Sequence, residues 1–222
     1  MGSKEMDRWD ETKKLMGKER IELGPHYTYV LKHFPRRLIF VLSHYKFAAK
    51  LIGDGKYVLE VGCSEGLGTV VLGESAKRVV GIDFDTDAIE EALHSFGSDK
   101  IEFRAQDFLA GQIDIFDAVV ALDVIEHIYK EHEADFLMSV CANMSPYGVC
   151  IIGTPNMTAD VYASATSKLG HVNLYTWDRL KSTMEKYFHQ VLLFSANDEI
   201  IHTGFYPMAH YLIAVGICKK QA

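Results

Sequence analysis

Val58-Leu59-Glu60-Val61-Gly62-Cys63-Ser64-Glu65-Gly66 is the stretch whose reading decides the fold. A short apolar run stops at glycine, and helical patterning resumes directly afterwards. An apolar run bounded in this way reads as a buried strand. Glycine lets the turn adopt positive φ and lets the backbone come close to a ligand, and the first N–H groups of the next helix are left free to meet one. The glycine spacing across 62, 66 and 68 is not the G-x-G-x-x-G of a dinucleotide site. Taken alone, the turn is equally compatible with a purely structural role.

Working outward, strand and helix patterns alternate. Residues 57–61 read as the first strand, followed by a helix over 66–76, a strand over 78–82, a helix over 85–96 and a strand over 101–104. A fourth strand over 116–122, a helix over 131–144 and a fifth strand over 149–153 follow. This order implies an α/β fold of three layers, a Rossmann-like parallel sheet covered by helices on both faces. Its ligand crevice lies at the carboxyl ends of the strands. Upstream, apolar residues at helical spacing from Arg37 to Ile52 predict a helix ended by Gly53-Asp54-Gly55. Residues 1–36 read as an N-terminal helical arm or lid, and 37–222 as the main domain. Within it, 154–175 is polar and irregular, too long for an ordinary connection, and reads as a lid. A helix over 176–188 capped by Thr176 is expected next, then apolar runs at 191–195 and 211–218 with no helix between them. These imply an antiparallel pair at the end of the sheet.

Composition narrows the function. The chain of 222 residues is 48% hydrophobic and 24% charged, ordinary for a globular domain. No apolar run approaches the roughly 20 residues that span a membrane. The charged N-terminal segment lacks the apolar stretch of a secretory signal, so a cytoplasmic location and no membrane partner are expected. Four cysteines, 63, 141, 150 and 218, form no ligand-type pair and read as buried, reduced thiols. With a formal net charge of −7 and only short basic runs, nucleic acid is not an expected partner. A small-molecule acceptor is, and a homodimer is the assembly left open.

Three further segments carry chemistry. Asp83 ends the second strand about twenty residues after the glycine turn, where an acid can accept both hydroxyls of a ribose. Asp107, followed by Phe108, stands just past the third strand; a carboxylate beside an aromatic suits an adenine amino group and ring. Ala121-Leu122-Asp123-Val124-Ile125-Glu126-His127-Ile128 follows the fourth strand.

Together these motifs resemble the class I S-adenosylmethionine (SAM)-dependent methyltransferases, nearest the branch holding coenzyme-Q-type and sugar or natural-product O-methyltransferases. The resemblance covers roughly 50–155 and implies a seven-stranded sheet, mostly parallel with an antiparallel last strand, and SAM as cofactor. By position it implies that Gly62 passes under the methionine part and that Glu60 supports the loop. It implies that Asp83 holds the ribose, that Asp107 takes the adenine amino group with the Phe108 backbone nearby, and that Leu122 and Asp123 line the amino-acid end. Cys63, Gly66 and Phe84 complete the expected cofactor set. The family usually has glycine and threonine or serine where this chain has Ser64 and Glu65, and the sequence assigns Glu65 no role.

Methyl transfer from a sulfonium needs chiefly proximity and orientation, and a hydroxyl acceptor benefits from a base, most often histidine. His127 and, in the lid, His171 are the candidate catalytic residues. Asn156, Tyr175 and the arm residues His26, Tyr27 and Arg37 are the candidate acceptor contacts; the lid then becomes an acceptor-side insertion. Asp123, Glu126 and His127 have metal-ligand character, but no second cluster completes a site along the chain, so no metal is expected. The expected reaction is methylation of a hydroxyl on a polar small molecule, such as a sugar or nucleotide-linked sugar of a surface glycan. N-methylation of a small amine, O-methylation of a quinone or lipid, a silent SAM-binding regulatory module and a nicotinamide oxidoreductase are the competing readings.

Overall fold

The computed structural model describes residues 3–221. Strands β1 (Tyr57–Val61), β2 (Arg78–Asp83), β3 (Ile101–Ala105), β4 (Phe116–Leu122), β5 (Met144–Pro155), β6 (Phe188–Asn197), β7 (Ile200–His202) and β8 (Tyr211–Lys219) form one sheet, ordered β3-β2-β1-β4-β5-β8-β6-β7. The first five are parallel to one another. β8 inserts antiparallel between β5 and β6, and β7 closes a short hairpin on β6. The sheet therefore has eight strands where seven were expected. The extra one arises because Asp198 takes a left-handed conformation (φ 49) that folds Ile200–His202 back on β6.

Among the described residues eight α-helices accompany the sheet: α1 (Ser3–Met16), α2 (Pro25–His33), α3 (Pro35–Ile52), α4 (Leu67–Gly73), α5 (Thr86–Phe96), α6 (Glu133–Ala142), α7 (Ala165–Gly170) and α8 (Trp177–Met184). Side chains alternate across a strand, and β4 shows the consequence. Ala118, Val120 and Leu122 pack with α3 and α4 through Tyr45, Ala48 and Leu72. Val119 and Ala121 pack on the other face with Phe136, Leu137 and Val140 of α6 and Leu180 and Met184 of α8. Being buried on both faces is why β4 is apolar from Ala118 to Leu122.

Helix ends follow local chemistry. Proline opens α3, and Gly53 at φ 77 closes it. Asp85 caps α5 by accepting from the N–H groups of Asp87 and Ala88, and Thr176 caps α8 through Arg179 N–H. Several expected boundaries shift, three of them with a clear cause. α8 stops at Met184 because Phe188 already belongs to β6. α6 begins at Glu133 after a 3₁₀ turn. β5 starts at Met144 and pairs across a bulge between Phe116 and Ala118. The arm contains two helices: α1 is largely exposed, and α2 turns Tyr27 and Val30 inward. The 154–175 segment holds a 3₁₀ helix (Met157–Tyr162) and α7. Cys63 and Cys150 are buried, but Cys141 and Cys218 are only half-buried, against the expectation for all four.

Candidate functional site

The carboxyl ends of β1 to β5 open into one cavity of about 940 Å³. Strand order distributes the chemistry along it. Asp107, after β3, and Asp83, the last residue of β2, lie on one side; Gly62, after β1, is central; Asp123 and His127, after β4, stand on the other. Phe84, Phe108, Leu122, His26, Tyr27, Arg37, Asn156 and His171 also line it.

The glycine turn is shaped by backbone demands. Gly62 sits at φ 74, and a Cβ there would lie 2.5 Å from Val124 Cγ2. Gly62 and Cys63 donate their N–H groups to Ile82 O (2.8 and 3.0 Å), tying the turn to β2. Asp83 completes that tie: Oδ2 accepts from Ser64 N–H at 2.8 Å and Oδ1 from Asp85 N–H at 3.0 Å. Its carboxylate thus sets two loops while lining the cavity. Asp107 Oδ1 caps the next turn through Leu109 N–H (2.9 Å), leaving Oδ2 for a ligand. Phe84 is 85% exposed, a free aromatic at the rim, whereas Phe108 is buried edge-on against Phe136.

Three residues of the expected cofactor set stand behind the wall. Glu60 is buried under the turn beside the Thr69 and Tyr45 hydroxyls, without a well-aligned hydrogen bond to either, and burial pushes its pKa up to about 7. The Cys63 thiol is buried and points to its neighbour's carbonyl. Gly66, at φ 81, caps α4 and leaves room for Phe103. These three shape the turn rather than line the cavity.

Glu65 is the residue that sequence reasoning left without a role. Its carboxylate accepts from His26 N–H (2.7 Å) and Tyr27 N–H (2.9 Å), the free amides at the start of α2. A carboxylate on a helix N-terminus is doubly favoured, by the orphan donors and by the helix dipole. The approach is so close that a Cβ at Gly24 would lie 2.4 Å from Glu65 Cδ. The glycine turn and the arm are thereby joined, and Tyr27 is held against the cavity, its phenol pKa raised by burial and by the Glu60 and Glu65 charges.

At the end of the cavity beyond β4, Asp123 adopts φ 57. Glu126 is fully buried; Oε2 accepts from Thr154 Oγ1 at 3.1 Å, while Oε1 has no partner. Burial, and then the Asp123 charge, holds its carboxyl well above the usual range. The Glu126 carbonyl accepts from Val172 N–H (2.9 Å) and Asn173 N–H (3.0 Å), which brings His171 alongside. His127 Nδ1 lies 2.9 Å from Gly170 O, so it carries the proton and Nε2 is left as the free acceptor. The two imidazoles stand 5.1 Å apart, nearly perpendicular, and burial and His127 lower the His171 pKa. The fold brings a third donor, His171, beside Glu126 and His127. One donor atom each from Glu126, His127 and His171 lies within 4.8 Å of the others.

Two expected acceptor contacts are spent elsewhere. Asn156 Nδ2 donates to Tyr206 O and Ala209 O, and Oδ1 accepts from Thr158 N–H. Tyr175 does not line the cavity; it is fully buried, donates to Glu133 (2.5 Å) and accepts from Asn173 (3.0 Å). Arg179 completes that network through Glu133 and Asn173.

A parallel sheet extended by antiparallel strands, with a glycine turn after β1 and acids after β2 and β3, defines the class I SAM-dependent methyltransferases. A family profile described as "Methyltransferase domain" matches residues 31–191, and the chain belongs to that family. It is 31% identical over 124 residues, 53% of this chain, to the ubiquinone biosynthesis O-methyltransferase of Xanthomonas campestris pv. campestris (strain B100). With the mitochondrial ubiquinone biosynthesis O-methyltransferase of Bos taurus it shares 33% over 118 residues, 50% of this chain. The matches cover 51% and 31% of those relatives' own lengths, about half and about a third. Among solved structures, the DhpI–SAH complex superposes with a TM-score of 0.66 at 20% identity, covering 88% of this chain and 92% of that one. The TehB-like SAM-dependent methyltransferase of Corynebacterium glutamicum gives 0.62 at 18%, covering 80% and 88%. No described helix is long and apolar enough to cross a membrane.

Proposed function

We propose that this chain methylates a hydroxyl of a small molecule whose body has an apolar face. The observation that carries the reading is the Glu126, His127 and His171 cluster at one end of a cavity whose other end holds Asp83 and Asp107. SAM supplies an activated methyl on a sulfonium. Asp83 is assigned to the ribose, the free Oδ2 of Asp107 to the adenine amino group, and the Gly62 backbone to the methionine part. Phe84, Phe108, Leu122 and Asp123 are the walls around them, while Glu60, Cys63 and Gly66 act by setting the shape of the turn.

A hydroxyl is a poor nucleophile at neutral pH, so the groups that face it must withdraw its proton. His127 presents Nε2 for that purpose, oriented by Gly170 O. Val30, Leu38, Phe40 and Val41 give the acceptor end an apolar wall, with Arg37 and His26 beside it. Such a wall suits a ring-borne hydroxyl better than the sugar or nucleotide-linked sugar expected from the polar lid. The O-methyltransferase names of the ubiquinone-pathway relatives support oxygen as the methylated atom.

The test is methyl transfer from labelled SAM to a panel of phenols, polyols and amines, with the product site located by mass spectrometry. O-methylation is expected, reduced about 100-fold by His127→Ala with SAH affinity retained. Asp83→Ala is expected to weaken SAM and SAH binding at least tenfold, about 1.4 kcal/mol. Amine methylation indifferent to His127→Ala would overturn the hydroxyl reading.

A further inference from the structure

We infer that Glu65 is the latch of the cofactor site: its carboxylate holds α2 against the methionine end of the cavity, and cofactor enters and leaves when that hold is broken. This rests on the assignment of SAM to the cavity. Glu65 does not itself line the cavity; it acts through Tyr27 and is a positioning residue.

Helix α2 stands where it can control the way in. His26, Tyr27 and Val30 line the same cavity as Gly62, Ser64 and Asp83. Tyr27 is buried, and after burial itself the charges of Glu60, Glu65 and Asp123 oppose ionisation of its phenol. The ring therefore lies between the glycine turn and the end of β4, against the place assigned to the methionine part. Little holds it there. Among the described residues, three hydrogen bonds join residues 3–33 to residues 35–221. Two are those of Glu65, from His26 N–H to Oε1 (2.7 Å) and from Tyr27 N–H to Oε2 (2.9 Å). The third, from Ser95 Oγ to Glu22 O (2.5 Å), is exposed. The turn that carries the latch is fixed independently of the arm: Ser64, at φ 48, donates its N–H to Asp83 Oδ2 at 2.8 Å. Opening of α2 therefore leaves the turn in place.

Such a gate has a kinetic signature. Two hydrogen bonds to an ionised group correspond to about a 100-fold change in the opening equilibrium. A ligand that passes only through the open form has association and dissociation rates that both carry this equilibrium as a factor. Loss of the latch multiplies both rates, and their ratio, the affinity, stays constant while the closed form still dominates. The inward packing of Tyr27 and Val30 keeps it dominant. A residue that only shaped the site would behave differently, raising the dissociation rate and weakening affinity.

The experiment is stopped-flow mixing of full-length protein with S-adenosylhomocysteine (SAH), which yields both rate constants, while calorimetry fixes the affinity independently. Glu65→Ala is expected to speed association and dissociation each about 100-fold with Kd unchanged, and Glu65→Gln, which keeps one acceptor oxygen, to fall between. Gly24→Ala probes the latch from the other side. Gly24 has φ −61, which alanine adopts freely, but the added Cβ would lie 2.4 Å from Glu65 Cδ and displace the carboxylate. It should speed exchange on its own and add nothing to Glu65→Ala. Thermal unfolding identifies a variant that fails to fold, and Glu65→Gln then carries the test. Wild-type rates in Glu65→Ala and Gly24→Ala would overturn the latch. So would faster dissociation with association unchanged, or effects of the two substitutions that simply add. Wild-type protein that binds no SAH would overturn the cofactor assignment itself, and the latch with it.

Discussion

Replacing Glu65 by alanine removes both hydrogen bonds that hold the start of α2 on the glycine turn, 2.7 Å to His26 N–H and 2.9 Å to Tyr27 N–H. Hydrogen bonds to an ionised group are each worth about 1.5–3 kcal/mol. One of the two amides is buried and the other only partly so, which puts the loss near the lower end, about 3 kcal/mol for the pair. Tyr27 and Val30 still pack inward, so the arm should remain docked on average but open far more often. At 1.4 kcal/mol per factor of ten, the opening equilibrium rises about 100-fold. Native-state hydrogen exchange reads this directly: amides of residues 28–33 in Glu65→Ala should exchange about 100-fold faster, while those of β1 and β4 keep their wild-type rates. Glu65→Gln retains one acceptor oxygen and should fall between. Wild-type exchange of α2 in Glu65→Ala would refute the argument, and so would equal acceleration across the whole sheet.

Three further outcomes are expected. His44 is buried with neither ring nitrogen partnered, stacked 4.1 Å from Tyr211 and edge-on to Phe40, and burial depresses its pKa to about 4. The unfolded chain takes up that proton near pH 6.5 and the folded one does not until about 4, so stability is full above 6.5 and is lost as pH falls toward 4. The loss should reach about 2 kcal/mol by pH 5 and should be absent from His44→Phe in urea unfolding; parallel pH profiles for the two proteins would exclude it. Tyr175→Phe should cost about 1–2 kcal/mol of stability and leave the acceptor KM unchanged, since the hydroxyl faces Glu133 and Asn173; a raised KM at unaltered stability would return Tyr175 to the acceptor site. Gly62→Ala combines φ 74 with a 2.5 Å approach to Val124, and calorimetry should show SAH binding at least tenfold weaker, an expectation that wild-type affinity would dismiss.

What the sequence disclosed follows the range of the interactions involved. β4 was expected at 116–122 and lies there, because an apolar run buried on both faces carries its own boundaries. The parallel order of the first five strands followed from alternating patterns. β5 was cut short because Ser145-Pro146-Tyr147-Gly148 has turn composition, yet its pairing runs to Met144 beside Phe116. The arm was expected to be helical, but its division into α1 and α2 was not legible, because α1 is mostly polar, its few apolar side chains are exposed, and it has little packing to pattern it. At the site, the cavity-lining acids stand beside the strands that position them and were legible. The partners of Glu65 are backbone amides 38 and 39 positions upstream, and His171 meets Glu126 only because two amides beyond it reach the Glu126 carbonyl. Asn156 and Tyr175 were visible as polar lid residues, but whether their polar atoms face a cavity or the backbone is decided by contacts as distant as Ala209 and Glu133.

The closeness of Gly24 to Glu65 has a consequence for how this sequence can drift. A side chain at position 24 would enter the space of the Glu65 carboxyl, 2.4 Å from Cδ. Neither position is therefore free to vary on its own. Relatives that keep an acid at position 65 should keep glycine at 24, and those with a small residue at 65 should tolerate alanine or serine there. The pair should thus be inherited or lost as a unit, and its joint presence would mark those family members whose N-terminal arm is fastened to the glycine turn.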